Sequence, residues 1–175
     1  MTIIFNGGGV GSDGSNLAES GWAQYSDDQY TELSPLVISV GQRVKLSNNA
    51  ANIINSQLPV GVSDFYDGTT EKITPDLVGD SYMLRVNFKA FTDDNNGYAE
   101  LQLDIGGAQG VILERGLSFP RGTGPSNVRS FSTSSLIYTL GQFVSNGGEL
   151  FIDNIRGTTS IYDISYVISR DHKAI

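Results

Sequence analysis

GDSYMLRVNFKAFTDDNNGYAELQLDIGG, residues Gly79–Gly107, holds two runs in which apolar and polar side chains alternate. In the first run Tyr82, Leu84, Val86, Phe88 and Ala90 fall on one side, with Arg85, Asn87 and Lys89 on the other. In the second, Ala99, Leu101, Leu103 and Ile105 oppose Glu100, Gln102 and Asp104. Successive Cβ atoms of a pleated strand point to opposite sides, so a period of two places each apolar set on one face. Between the runs lies Thr92-Asp93-Asp94-Asn95-Asn96-Gly97, whose Asn-Gly pair accepts the positive φ of a tight turn. The stretch therefore predicts a long antiparallel hairpin with one wet and one dry face. A hairpin cannot bury its dry face alone, and the rest of the chain is expected to supply a second sheet.

The composition agrees. A chain of 175 residues suits one domain with a sizeable core. Charged residues make up only 17%, Gly numbers 21, and short apolar runs recur without a helical period, which predicts an all-β domain. A net charge of −8 argues against a surface built for nucleic-acid phosphates or anionic lipid. There is no Cys, which excludes disulfides, thiolate metal sites and cysteine nucleophiles. The first residues, MTIIFNGGGVG, lack the basic region and long apolar core of a secretory signal. No apolar run approaches the ~20 residues that span a bilayer. The expectation is a chain made in the cytoplasm, with no membrane partner.

Residues 1–20 read as a flexible arm: a β-prone run, Thr2-Ile3-Ile4-Phe5, then the Gly-rich Gly7–Gly14. Such an arm can pair with a sheet edge of a neighbour. Residues 21–175 read as one domain. Gly21–Pro35 is polar with interspersed Trp22, Tyr25 and Tyr30, aromatics suited to partly buried seams. Leu36–Val40 predicts a strand, Gly41-Gln42 a turn and Arg43–Leu46 a returning strand. Asn48 to Pro59 is expected to hold a short helix or irregular link. Phe65–Ile73 reads as strand, turn, strand with Asp67-Gly68 at its tip. Val111, Leu113, Leu117 and Phe119 alternate along a strand ending at Pro120. Val128–Leu140 predicts a long Ser/Thr-rich strand, bent or bulged near Ser132 to Ser135. Asn146-Gly147-Gly148 turns the chain into Leu150-Phe151-Ile152, and Gly157 turns it again. In the last strand Tyr162, Ile164, Tyr166 and Ile168 are expected on one face. Roughly eight to ten strands with frequent turns predict a two-sheet antiparallel sandwich, and the long strands favour a jelly roll.

No catalytic constellation emerges. Gly9-Val10-Gly11-Ser12-Asp13-Gly14 matches G-x-G-x-x-G, but a dinucleotide site needs a helix to follow, and Ser20-Gly21 breaks the only candidate. His172 is the sole histidine, three residues from the end, which leaves no base for a triad and no histidine-based metal site. Asp93, Asp94, Asn95 and Glu100 offer oxygens in a row but lack the spacing of a calcium loop, as do Asp27-Asp28 and Asp76/Asp80. Glu100, Asp104 and Glu114 could share an exposed sheet face, the arrangement a sugar-cleaving enzyme would need, without a clustered acid motif to support it. Neither cofactor nor metal is expected. The aromatics read first as core and interface residues, second as a sugar-stacking platform.

Several phrases carry a resemblance: Gly21-Trp22-Ala23-Gln24-Tyr25, Phe65-Tyr66-Asp67-Gly68, Ile73-Thr74-Pro75, Gly79-Asp80-Ser81-Tyr82, Asp104-Ile105-Gly106-Gly107, Asn146-Gly147-Gly148-Glu149-Leu150 and Ile168-Ser169-Arg170-Asp171. Together, from about Gly21 onward, the chain resembles small virion structural proteins of tailed phages, particularly those of cyanobacteria and marine hosts. The resemblance implies a jelly roll of the tumour-necrosis-factor-like kind, usually a homotrimer, decorating a capsid or forming a fibre module, with no catalytic residues. It makes the major capsid protein and a second copy of the chain the expected partners, and the virion the expected location. On this reading Thr2, Ile3, Ile4 and Phe5 form the capsid contact, while Trp22 and Tyr25 belong to a partner-binding seam. The alternative expectation is a carbohydrate-binding jelly roll on a fibre or baseplate.

Overall fold

The computed structural model describes residues 19–120 and 122–174, so the arm predicted at Thr2–Phe5 lies outside the described residues. The described chain is an antiparallel two-sheet sandwich. One sheet contains β1 (Gly21–Ser26), β2 (Leu36–Ile38), β4 (Asn52–Gln57), β7 (Ser81–Thr92), β10 (Arg129–Tyr138) and β12 (Thr159–His172). Its order is β10-β7-β12-β1-β4, with β2 paired to the first residues of β12. The other sheet has the order β3-β11-β8-β9 and contains β3 (Arg43–Lys45), β8 (Asn96–Asp104), β9 (Val111–Pro120) and β11 (Glu149–Arg156). A small hairpin of β5 (Tyr66–Asp67) and β6 (Lys72–Ile73) forms as expected around Gly68 and joins the sandwich through an Ile73–Gly148 bridge. A six-residue helix, α1 (Gly141–Asn146), precedes β11.

Both alternating runs are strands, but they do not form a hairpin. β7 pairs with β10 and β12, whereas β8 pairs with β9 and β11, so the two arms lie in opposite sheets. Asp93–Asn95 carries the chain across the sandwich, and three extended residues suffice for the ~10 Å between packed sheets. Asn96-Gly97 opens β8 and closes a turn in which Gly97 N–H donates to the Asp94 carbonyl at 3.2 Å, but neither residue takes positive φ and no hairpin follows. Gly97 serves close approach: a Cβ there would sit 2.7 Å from Thr92 Oγ1. The same logic separates β2 from β3, expected to return on one another, because the link at Gly41 (φ 76°) leads from one sheet to the other.

The dry faces of both arms meet in the core. Leu84, Val86, Phe88 and Ala90 pack with Ala99, Leu101 and Leu103, and with Ile164, Tyr166 and Ile168 of β12. Phe131 of β10 closes the side between β9 and β10, its ring centroid 5.2 Å from both Phe88 and Phe119. At the opposite side Tyr25, Tyr66 and Tyr166 form a chain of ring contacts.

Three further expectations are corrected. Asn52–Gln57, expected as a helix or irregular link, is the edge strand β4. β10 keeps continuous register with β7 from Arg129 to Tyr138 and has no bulge at Ser132–Ser135, because its alternate serines stay on the wet face. Tyr162 does not share a face with Ile164: a bulge with Asp163 at φ 53° shifts the register, so Ile161 points inward and Tyr162 lies beside Lys89.

Candidate functional site

The outer face of the six-stranded sheet can be rebuilt from strand register. Its rows run Trp22–Ser169–Met83–Leu136, then Gln24–Val167–Arg85–Ser134, then Ser26–Ser165–Asn87–Ser132 and Tyr162–Lys89–Ser130. Lateral neighbours on a sheet share a face, and each residue here is the alternate of a buried one. The middle rows are hydroxyl- and amide-rich: Ser132 Oγ donates to Asn87 Oδ1 at 2.8 Å, and Asn87 Nδ2 donates to Ser165 Oγ at 3.3 Å. Lys89 pairs with Asp163 at 2.9 Å, and this hydrogen bond holds its ammonium above the usual lysine range. One end is apolar. Trp22, 38% exposed, flanks a shallow depression of about 320 Å³ lined with Met83, Arg85, Ser134, Val167 and Ser169.

A second apolar surface lies where β9 and β10 form the free edges of their two sheets. Leu136, Tyr138 and Leu140 are exposed and, with Ile112, Leu113 and Ile137, line a cleft of about 200 Å³; Val111, also exposed, is the first residue of β9. Leu136 stands at the corner between this edge and the sheet face. The face and the edge adjoin at Leu136 and differ in shape.

The other sheet turns a charged network outward. Arg43 lies over the Phe151 ring at 3.8 Å and pairs with Asp104 at 2.7 Å, while its Nε donates to Gln102 Oε1. Glu100 accepts from the Tyr98 hydroxyl at 3.2 Å, and Glu114 accepts from Gln102 Nε2 at 3.3 Å. The three carboxylates singled out by sequence do share this face, each engaged by a neighbour. Tyr98 lies against Gly116, where a Cβ would meet its hydroxyl at 2.6 Å. Asp93 and Asp94 are engaged too: Asp93 Oδ1 accepts from Thr158 N, and Asp94 pairs with Arg156. No group of three or more acidic, His or Cys side chains suited to a metal ion occurs among the described residues.

Of the partner-binding residues expected from sequence, Trp22 is on the outer face and Tyr25 is not. Tyr25 is fully buried, donating to Asp64 Oδ1 at 3.2 Å and accepting from Phe65 N at 2.8 Å. It braces a loop and cannot touch a partner. Sequence reading missed Met83, Val167, Leu136 and Tyr138, although each alternates with a buried neighbour in its strand.

No family model matches this chain, and no curated protein matches it. Among solved structures it is similar to Eiger TNF from S. frugiperda, with a TM-score of 0.51 and 12% identity over 89% of this chain and 94% of that one. It also aligns with PRD1 vertex protein P5, at a TM-score of 0.45 and 11% identity over 90% and 99% of the two chains. A CBM4 structure aligns at 0.37 and 14% identity, covering 88% and 92%. The TNF likeness is one of fold: the chain is an antiparallel jelly roll. Among the described residues no helix is long and apolar enough to cross a membrane.

Proposed function

We propose that this chain is a non-enzymatic virion structural protein, a homotrimeric capsid decoration protein that binds the outer surface of a capsid. The observation that carries the self-association is the pair of unlike exposed surfaces, the Trp22–Met83–Val167 face and the Leu136–Tyr138–Leu140 edge. Contacts between two different patches repeat head to tail, and a rotation that closes makes a ring. In such a ring the six-stranded sheet faces a neighbour and the charged sheet faces outward. The capsid partner rests on the resemblance of the turn and strand phrases to tailed-phage virion proteins. A net charge of −8 fits a protein that stays on the outside of a shell packed with nucleic acid.

In this arrangement Thr2–Phe5 contacts the major capsid protein, joined to the domain through the Gly-rich segment. The test is cosedimentation with tailed-phage capsids assembled from a purified major capsid protein. Full-length protein is expected to pellet with capsids, and a variant lacking Met1–Gly14 to remain trimeric but stay in the supernatant. Equal pelleting of the two would contradict the role of the arm. Failure of the full-length protein to pellet would contradict decoration itself.

A further inference from the structure

We infer that Thr2–Phe5 adds a strand to the open edge of β4 in its own chain. The inference requires neither the trimer nor the capsid, and to the reading above it adds how the arm is held on the domain.

β4 ends the six-stranded sheet, paired to β1 and, among the described residues, to no strand on its other side. The strands that end the sheets elsewhere carry charge: Arg43 and Lys45 in β3, Glu114 and Arg115 in β9, Arg129 in β10. β2 is uncharged, but it buries Ile38, and Asn154 Nδ2 already donates to the Ile38 carbonyl at 2.7 Å. Charged side chains and proline are the ordinary guards of an open edge. Asn52-Ile53-Ile54-Asn55-Ser56-Gln57 has neither. Its one guard is a bulge, marked by the register shift between the Trp22–Gln57 and Gln24–Ile54 pairs, which leaves residues 52–54 as a short regular edge. All six residues are exposed, so the sandwich covers neither side of β4. Ile53 continues the inner row of Tyr25 and is 47% exposed, while Ile54 continues the outer row of Gln24 and is 51% exposed. The strand that fits this edge is short, uncharged and apolar on both faces.

Thr2-Ile3-Ile4-Phe5 has those properties. Alternation puts Ile3 and Phe5 on one face of a strand and Ile4 on the other. Its attachment point also fits. The described residues begin at Glu19, whose carbonyl accepts from Arg170 Nε at 2.7 Å. Gly21 then opens β1 so close to β4 that a Cβ there would overlap the Gln57 carbonyl. The segment therefore leaves the domain beside the strand it is to meet. Residues 6–18 reach about 40 Å when extended, and β4 is about 20 Å long. A tether of this length gives the segment a roughly millimolar effective concentration at its own edge, ahead of a second copy. Main-chain hydrogen bonds then supply the affinity and the isoleucine contacts the register. The added strand keeps an outer edge of its own, which leaves it open to the capsid contact proposed above.

Amide hydrogen exchange tests the added strand in the full-length protein and in the full-length variant I3D/I4D, which places a charge on each face of the segment. Circular dichroism melts confirm that both are folded. Residues 52–57 of the wild type are expected to exchange roughly tenfold more slowly than those of the variant. Equal exchange in the two would overturn the added strand, whatever the solution mass or the capsid assay gives. Because the chain has no Cys, the double variant I4C/I54C treated with a short bis-maleimide assigns the occupant. A cross-linked product with the mass of one chain under denaturing conditions is expected. Products of two or three chains would overturn the own-chain pairing and make the occupant a neighbour's segment.

Discussion

Tyr25, Tyr66, Tyr82 and Tyr166 show what single residues contribute. Each is a core aromatic whose hydroxyl is spent on a loop: Tyr25 on Asp64 and Phe65, Tyr66 on the Asn48 carbonyl, Tyr82 on Asp80 and Asp76, Tyr166 on the Leu46 carbonyl. Burial disfavours the phenolate and pushes Tyr82 up to about 12, with Tyr25 and Tyr66 raised further and Tyr166 raised well above the ordinary tyrosine range. In the unfolded chain these groups ionise near 10. Above that pH the unfolded state binds fewer protons than the folded one, so stability falls as pH rises. The stabilisation is complete below about pH 10 and is lost on passing through about 12. An alkaline titration followed by tyrosinate absorbance and circular dichroism should show these four ionising together with loss of sheet signal. Ionisation of all eight tyrosines near pH 10 with the sheets intact would contradict the packing described. The alternation in Gly21–Ser26 put Tyr25 and Trp22 on opposite sides, since residues three apart in a strand never share a face. Which side was dry depended on the partner sheet, and that was not legible locally.

At the scale of elements, the faces of β7 and β8 were readable and their neighbours were not. Alternation says which side chains meet the core, and it is satisfied equally by two strands side by side and by two strands opposed across it. A three-residue link is short enough for a hairpin and long enough to cross between sheets, so length did not decide either. Asn96-Gly97 misled because glycine has two uses, positive φ and absence of Cβ, and here the second applies. The bulge at Asp163 was hidden for a related reason: a non-glycine residue at positive φ leaves no compositional mark. Another crossing, from β11 to β12, depends on Gly157 at φ 77°, where a Cβ would lie 2.4 Å from Thr92 Oγ1. Asn154 fastens that crossing by donating to the carbonyls of Ile38 and Gly157, both at 2.7 Å. Gly157→Ala is expected to cost about 2 kcal/mol in urea unfolding, from φ strain and overlap together. A cost below about 0.5 kcal/mol would mean the crossing is looser than described.

For the molecule as a whole, a jelly roll of this kind is a scaffold, and fold alone assigns no activity. What distinguishes this chain is the distribution of its surface. Charge is concentrated on the sheet that contains Arg43, Glu100 and Asp104, hydroxyls and amides occupy the centre of the other sheet, and apolar side chains mark one end of that face and one edge. The sequence reading expected a seam that held both Trp22 and Tyr25; the structure puts Trp22 on the outer face and buries Tyr25. That reading could not find the edge, because Leu113 and Tyr138 lie in different strands and line one cleft only when the sandwich closes. The most direct measurement is the solution mass of the full-length protein by light scattering. A homotrimer has three times the chain mass of 18.8 kDa, and that is the expected result. A mass of one chain across the accessible concentrations would contradict it, and would leave the Tyr98 sheet face and carbohydrate binding as the reading to pursue.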